Sequence, residues 1–159
     1  MYFEDLKIGM MVDTAPAVIE KEKMMAFARD YDNIPLHTDE SIEKLKKCTK
    51  CHFNAPTAML VCHNREKSWV RKYDGALSSP VDAVIVTTYL MLAAQNEGVG
   101  TCWVMHFDPV AMCEAFNIPA SVEPIALLVM GYPSEDAKPL DMHFKSRPID
   151  ETVIYEEFK

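Results

Sequence analysis

A chain of 159 residues, 49% hydrophobic and 25% charged, is sized for one domain with a real core and is too apolar to be disordered. Its formal net charge of −8 argues against nucleic acid as a partner, because neutralising phosphates needs a basic face. No apolar run reaches membrane-spanning length, the acidic start is unlike a signal peptide, and five cysteines, an odd number, fit the reduced thiols of a cytoplasmic protein.

The chain opens with the amphipathic turn Met1–Gly9, and Val12–Ile19 is weakly strand-like, interrupted by Pro16. Over Glu20–Tyr31 the apolar residues Met24, Phe27, Ala28 and Tyr31 have the spacing of a one-sided helix. Asp32–Glu40 reads as a loop, since Pro35 pushes Ile34 out of helical geometry, and Ser41–Lys47 as a short Lys-rich helical piece. Cys48–Phe53 is a connector. Ala58–Cys62 is a continuous apolar strand suited to a sheet covered on both faces, and His63–Ser79 is a polar loop carrying Trp69, Arg71 and Tyr73.

The segment Ser78–Trp103 organises the rest. Ser79 is the expected N-cap, Pro80 suits the first helical position, and Asp82 stands where a capping box wants its acid. Val81, Val84, Ile85, Thr88 and Leu92 form one stripe, and Val86, Leu90, Met91, Ala93 and Ala94 fill the other faces. Such all-round apolarity predicts a buried central helix whose stripe is core or subunit interface. Gly98 ends it, and Gly100 turns the backbone into a strand over Thr101–Met105.

Asp108-Pro109 then opens another helix, Val110–Phe116, by the same acid-then-proline logic. Pro124–Met130 is a second apolar strand, closed by Gly131-Tyr132-Pro133, and the tail Ser134–Lys159 is proline-rich and then extended. A tail with so little core of its own commonly crosses onto a partner subunit. Strand, long helix, strand, short helix, strand predicts a three-layer α/β/α sandwich, with strand directions left open by periodicity alone.

From Lys44 onward the chain resembles the compact nitroreductase family of FMN-dependent oxidoreductases. The resemblance rests on Ala55-Pro56 before the first strand, Lys67–Gly75, Asp82 with its helix, Gly98-Val99-Gly100-Thr101-Cys102-Trp103, Val122–Pro133, and the tail His143–Glu151. It implies an α+β fold with a mixed, mostly antiparallel sheet and a homodimer with FMN at the subunit interface. It also implies hydride transfer from NAD(P)H to the flavin and then to a nitroaromatic, quinone or similar small acceptor. By the same resemblance, Lys145 and Arg147 match the basic pair that meets the FMN phosphate. Gly98, Gly100, Met105 and His106 match the turn and following segment beside the isoalloxazine ring, and Trp69, Arg71 and Tyr73 stand at a substrate or dimer rim. No residue is assigned as catalytic in this reading. The family's usual Arg-Arg-Ser-like opening helix and its Pro-(Ser/Thr)-x-x-Asn-x-Gln-Pro-like segment are absent from the sequence.

Residues 1–40 resemble instead the start of MaoC-like hot-dog enoyl-CoA hydratases, through Tyr2–Gly9 and Asp32-Asn33-Ile34-Pro35-Leu36-His37-Thr38-Asp39. That likeness implies an Asp32/His37 dyad activating water as general base. It divides the chain into a hydratase-like segment, 1–43, and a nitroreductase-like domain, 44–159. A dimeric fragment with an incomplete site is the third expectation. Two plainer explanations stand beside these. A helix-terminating loop accounts for the Asp32–His37 acids and proline. A lone Cys48-Thr49-Lys50-Cys51 with His52, Cys62 and His63 nearby is a weak zinc pattern, so no metal is expected.

Overall fold

The computed structural model describes residues 33–138 and 140–158. The expectations for Met1–Asp32, including the strand over Val12–Ile19, the helix over Glu20–Tyr31 and the position of Asp32, lie outside the described residues. In order, the elements are β1 (Asn33–Leu36), α1 (Asp39–Cys48), β2 (Thr57–Asn64), α2 (Ser79–Asn96), β3 (Gly100–Val104), α3 (Pro109–Ala115) and β4 (Val122–Gly131). A single 3-10 turn (Asp141–Phe144) and the one-turn α4 (Ile149–Thr152) follow in the tail.

The four strands form one sheet in the order β1-β2-β4-β3, with every neighbouring pair antiparallel. The two continuous apolar runs, β2 and β4, are its centre, where both faces are covered. The segment expected to be a loop is partly the edge strand β1, which pairs Ile34 with Leu60 and Leu36 with Ala58. Pro35 rules out a helix there, but it does not rule out a strand: among the described strands only β2 is paired with β1, so the missing N–H can face away from the ladder.

Period two sorts the strands onto two faces. Leu60, Cys62, Val104, Leu127 and Val129 pack with Leu45 of α1 and Met112 of α3 in the main core. Val61 and Ala126 face the other way and close on Ala83 of α2. The class is therefore α+β, with helices on both faces of an antiparallel sheet. Residues such as Leu60 and Leu127 are fully buried, each contributing roughly 1.5–3 kcal/mol of hydrophobic stabilisation.

The central helix departs from expectation in two ways. It begins one residue earlier, with Ser78 as N-cap in helical geometry and no side-chain cap; the Ser78 hydroxyl donates to Asp82 at 3.1 Å, so the expected capping box does not form. The second difference is burial. Ala83, Val86, Thr87 and Ala93 are buried against the sheet, whereas Val81 (60%), Val84 (42%), Ile85 (46%) and Leu92 (57%) are exposed. One sheet covers one side of a helix, and an apolar far side is left bare.

The acid-then-proline start of α3 is as read, whereas α1 begins two residues before the expected Ser41 and has a cap that was not foreseen. Thr38 and Ser41 cap α1 reciprocally, hydroxyl to backbone amide, at 3.2 and 3.1 Å. Asp108 accepts from the amides of Val110 and Ala111 at 2.9 and 3.1 Å, and Pro109 occupies the first turn of α3. Replacing Asp108 by alanine leaves both amides without that acceptor and is expected to cost about 1 kcal/mol. That is a fall of about 2–4 °C in melting temperature, with asparagine restoring most of it, measurable by calorimetry.

Candidate functional site

Antiparallel pairing sets the end of β2 beside the start of β4 and the end of β3 opposite Leu127, midway along β4. There the chain leaves β3 through Met105 and His106, both exposed, with Met105 at 64%. Its backbone is held from several sides. Thr49 at the end of α1 donates its hydroxyl to the His106 carbonyl, the Asp108 amide donates to the Cys48 carbonyl at 2.9 Å, and Trp103 Nε1 donates to Met105 Sδ at 3.2 Å. The result is a fixed, solvent-facing shelf of backbone and thioether against which a flat ligand could lie.

The two glycines expected beside it are elsewhere. Gly98 and Gly100 sit at the opposite end of β3, a five-residue strand spanning roughly 16 Å. Gly98 is explained by its φ of +73°, the left-handed turn that ends α2. At Gly100 a Cβ would stand 3.3 Å from the Gly131 carbonyl oxygen, a tight contact that glycine avoids where the strand pairs with β4. Neither needs a ligand to account for it.

Lys145 and Arg147 follow the 3-10 turn, two residues apart and exposed. Among the described residues neither makes an ion pair. A Lys–Arg pair is a donor set that suits a phosphate dianion: the guanidinium supplies a planar fork and the ammonium a point charge.

The loop between β2 and α2 carries Trp69 (64% exposed), Arg71 and Tyr73 (98% exposed). It is a small hairpin with an isolated bridge from Val70 to Leu77 and a positive φ at Gly75. Arg71 grips Asp74 with a fork of two hydrogen bonds, Nε to Oδ1 at 2.7 Å, and holds that carboxyl below its usual range. Arg71 is thus already neutralised, and the rim it offers is mainly aromatic.

At the base of this loop lies an arrangement the sequence did not announce. The His63 side chain is 3% exposed. Its Nδ1 is 2.8 Å from Ser79 Oγ and its Nε2 is 3.1 Å from Glu123 Oε2; the other Glu123 oxygen is bonded by Arg65. A carboxylate accepts only, so the Nε2–H form donates to Glu123 and leaves Nδ1 to accept the Ser79 hydroxyl. A histidine in an otherwise apolar strand is the signal in the sequence. Its partners come from the register that sets Glu123 opposite His63, and from the early start of α2.

The remaining candidates do not come together. His37 is exposed just past β1. None of the five cysteines forms a disulfide, and among the described residues no group of three or more His, Cys, Asp or Glu side chains could hold a metal. Burial, with Asp108 adding to it, pushes the Cys48 thiol up, so Cys48 remains a protonated thiol donating to the Lys44 carbonyl.

The fold is an α+β sandwich, and the chain belongs to the nitroreductase family of oxidoreductases, whose profile matches residues 12–132. That match crosses the junction expected near residue 43, so the chain is not a hybrid in which the family begins at residue 44; the hydratase resemblance of residues 1–40 finds no support. A nitroreductase family protein of Clostridium difficile 630 is 35% identical over 88% of this chain and 88% of its own, with a TM-score of 0.76. An FMN-dependent nitroreductase of Clostridium difficile R20291 shares the fold at 22% identity, covering 88% and 90% of the two chains with a TM-score of 0.59. A nitroreductase family protein of Clostridium novyi NT is similar at 20% identity, 78% and 81% coverage and a TM-score of 0.59.

Proposed function

We propose that the protein is an FMN-dependent oxidoreductase, a cytoplasmic homodimer that takes electrons from NADH or NADPH and delivers them to a nitroaromatic, quinone or similar small acceptor. The observation that carries this reading is the exposed Lys145–Arg147 pair, which makes no ion pair among the described residues, in an acidic member of the family. Its donors suit the FMN phosphate, and the shelf at Met105 and His106 suits the flat ring system. When bound, the flavin supplies two-electron transfer between a reduced nicotinamide and the acceptor.

The chain's own residues do the positioning. Lys145 and Arg147 fix the phosphate, and the pinned backbone after β3 gives the ring a surface that does not move. Trp69 and Tyr73 offer aromatic faces on which an aromatic acceptor stacks. The bare face of α2 supports the dimer: Val81, Val84, Ile85 and Leu92 recur at helical spacing, and an apolar patch of that kind marks an interface. The tail also exposes large aromatics, Phe144 and Tyr155. No helix among the described residues is long and apolar enough to cross a membrane. The protein loaded with FMN is expected to be bleached by NADH or NADPH without oxygen and to recover its colour on adding a quinone. Bound flavin that stays oxidised would contradict the assignment.

A further inference from the structure

We propose that His63 is a positioning residue: it closes the base of the 65–78 loop and so sets Trp69 at the acceptor side of the site. The acceptor part rests on the function proposed above; the closure does not. The loop leaves β2 at Arg65 and returns at Ser79, and both ends are tied to one carboxylate. Arg65 bonds Glu123 directly, and Ser79 reaches it through the imidazole.

Above this closure the loop holds itself together. The Ser78 amide donates to the Trp69 carbonyl at 3.0 Å, the Ser79 amide donates to Ser68 Oγ at 3.0 Å, and Arg71 grips Asp74. The hairpin therefore keeps its shape without His63; the ring carries the tie between Ser79 and Glu123, while Arg65 keeps its own bonds to Glu123 and to the Ser121 carbonyl. A polar ring in an apolar strand is costly unless both nitrogens are bonded, and here both are. Its neighbours on the same strand face, Met59 and Val61, are apolar, so packing alone would be served by another hydrophobe.

Serine, histidine and glutamate in a row also resemble a nucleophile with its base and orienter. The first turn of α2 does not support that use. The amides of Val81 and Asp82 are bonded to the Ser78 carbonyl, that of Ser79 is bonded to Ser68, and Pro80 has none. No amide there is left for a developing oxyanion, which leaves positioning as the role.

The charged group bonded to the ring is Glu123 from β4, with Arg65 behind it. Glutamine at position 63 reproduces the bridge, its carbonyl accepting from Ser79 and its amide donating to Glu123. Limited trypsin digestion reads the closure directly, because Arg65, Lys67, Arg71 and Lys72 lie in the loop while Lys44, Lys46 and Lys47 lie in α1. His63→Ala is expected to raise cleavage at the loop sites about tenfold relative to the α1 sites, with His63→Gln returning it to the parent rate. If His63→Ala does not fold, Ser79→Ala cuts one link and is expected to give the same pattern.

Unchanged loop cleavage, or an equal rise at the α1 sites, would overturn the proposal. In flavin-loaded protein His63→Ala is expected to raise KM for a quinone or nitroaromatic several-fold more than it lowers kcat. A loosened loop with unaltered KM would remove the acceptor-side role. A chain that takes up no flavin would end the oxidoreductase reading while the digestion pattern still decides the closure.

Discussion

Replacing Arg147 by alanine is expected to weaken FMN binding about 10- to 100-fold while leaving the melting temperature of the flavin-free protein almost unchanged. The two halves of that result come from the same observation. Arg147 is exposed and makes no ion pair among the described residues, so the fold loses little without it; surface substitutions of this kind stay within about 0.5 kcal/mol. Against a phosphate the same guanidinium makes charge-assisted bonds worth about 1.5–3 kcal/mol, and each 1.4 kcal/mol is about tenfold in affinity. Lysine at 147 keeps the charge but not the fork and is expected to fall between parent and alanine. Fluorescence quenching of free FMN on titration measures it. An alanine variant that binds like the parent would show that the phosphate lies elsewhere.

An aspartate in place of Ile85 is expected to convert a dimer into monomers and to take flavin binding with it. Ile85 sits between Val81, Val84 and Leu92 on the face of α2 turned away from the sheet, 46% exposed in the single chain. On a lone protomer a carboxylate there remains in water, with little cost to the fold. At the centre of an apolar interface the same carboxylate is desolvated without a partner, a penalty of several kcal/mol. That raises the dimer dissociation constant by more than about 100-fold. Sedimentation velocity at micromolar protein separates the outcomes, and a variant sedimenting like the parent would mean that this face is not the contact. Leu92→Asp, a turn or two along the same stripe, is expected to act alike.

That helix shows where a sequence stops speaking. Its length, its proline start and its glycine end were all readable, since caps and turns are local chemistry: Asp108-Pro109 and Gly98 do in the fold what their residue types demand. The centre of the sheet was readable too, because β2 and β4 are continuous apolar runs. Whether an apolar helix is wrapped by its own chain or bared for another depends on how many layers the fold places around it, which periodicity does not encode. The same limit hid β1, where Pro35 signals only that a helix is excluded.

Of the candidate site, Lys145, Arg147, Met105 and His106 were named through the family resemblance, and the fold shows them exposed; Gly98 has a backbone reason of its own in its positive φ. His63, Glu123 and Ser79 were not legible as a unit. Sixty residues separate His63 from Glu123 in the chain, and only the antiparallel register joins them. The apparent division near residue 43 rested on two short likenesses, whereas the family match spans 12–132 as a whole.

The most direct test of the account is the visible spectrum of the purified protein with one equivalent of FMN, after gel filtration to remove what is free. The account predicts a flavin band at about 450 nm that travels with the protein and is lost in Arg147→Ala. A colourless, folded protein that leaves all the FMN in the small-molecule fraction would contradict it, and would leave a sandwich without a working flavin site.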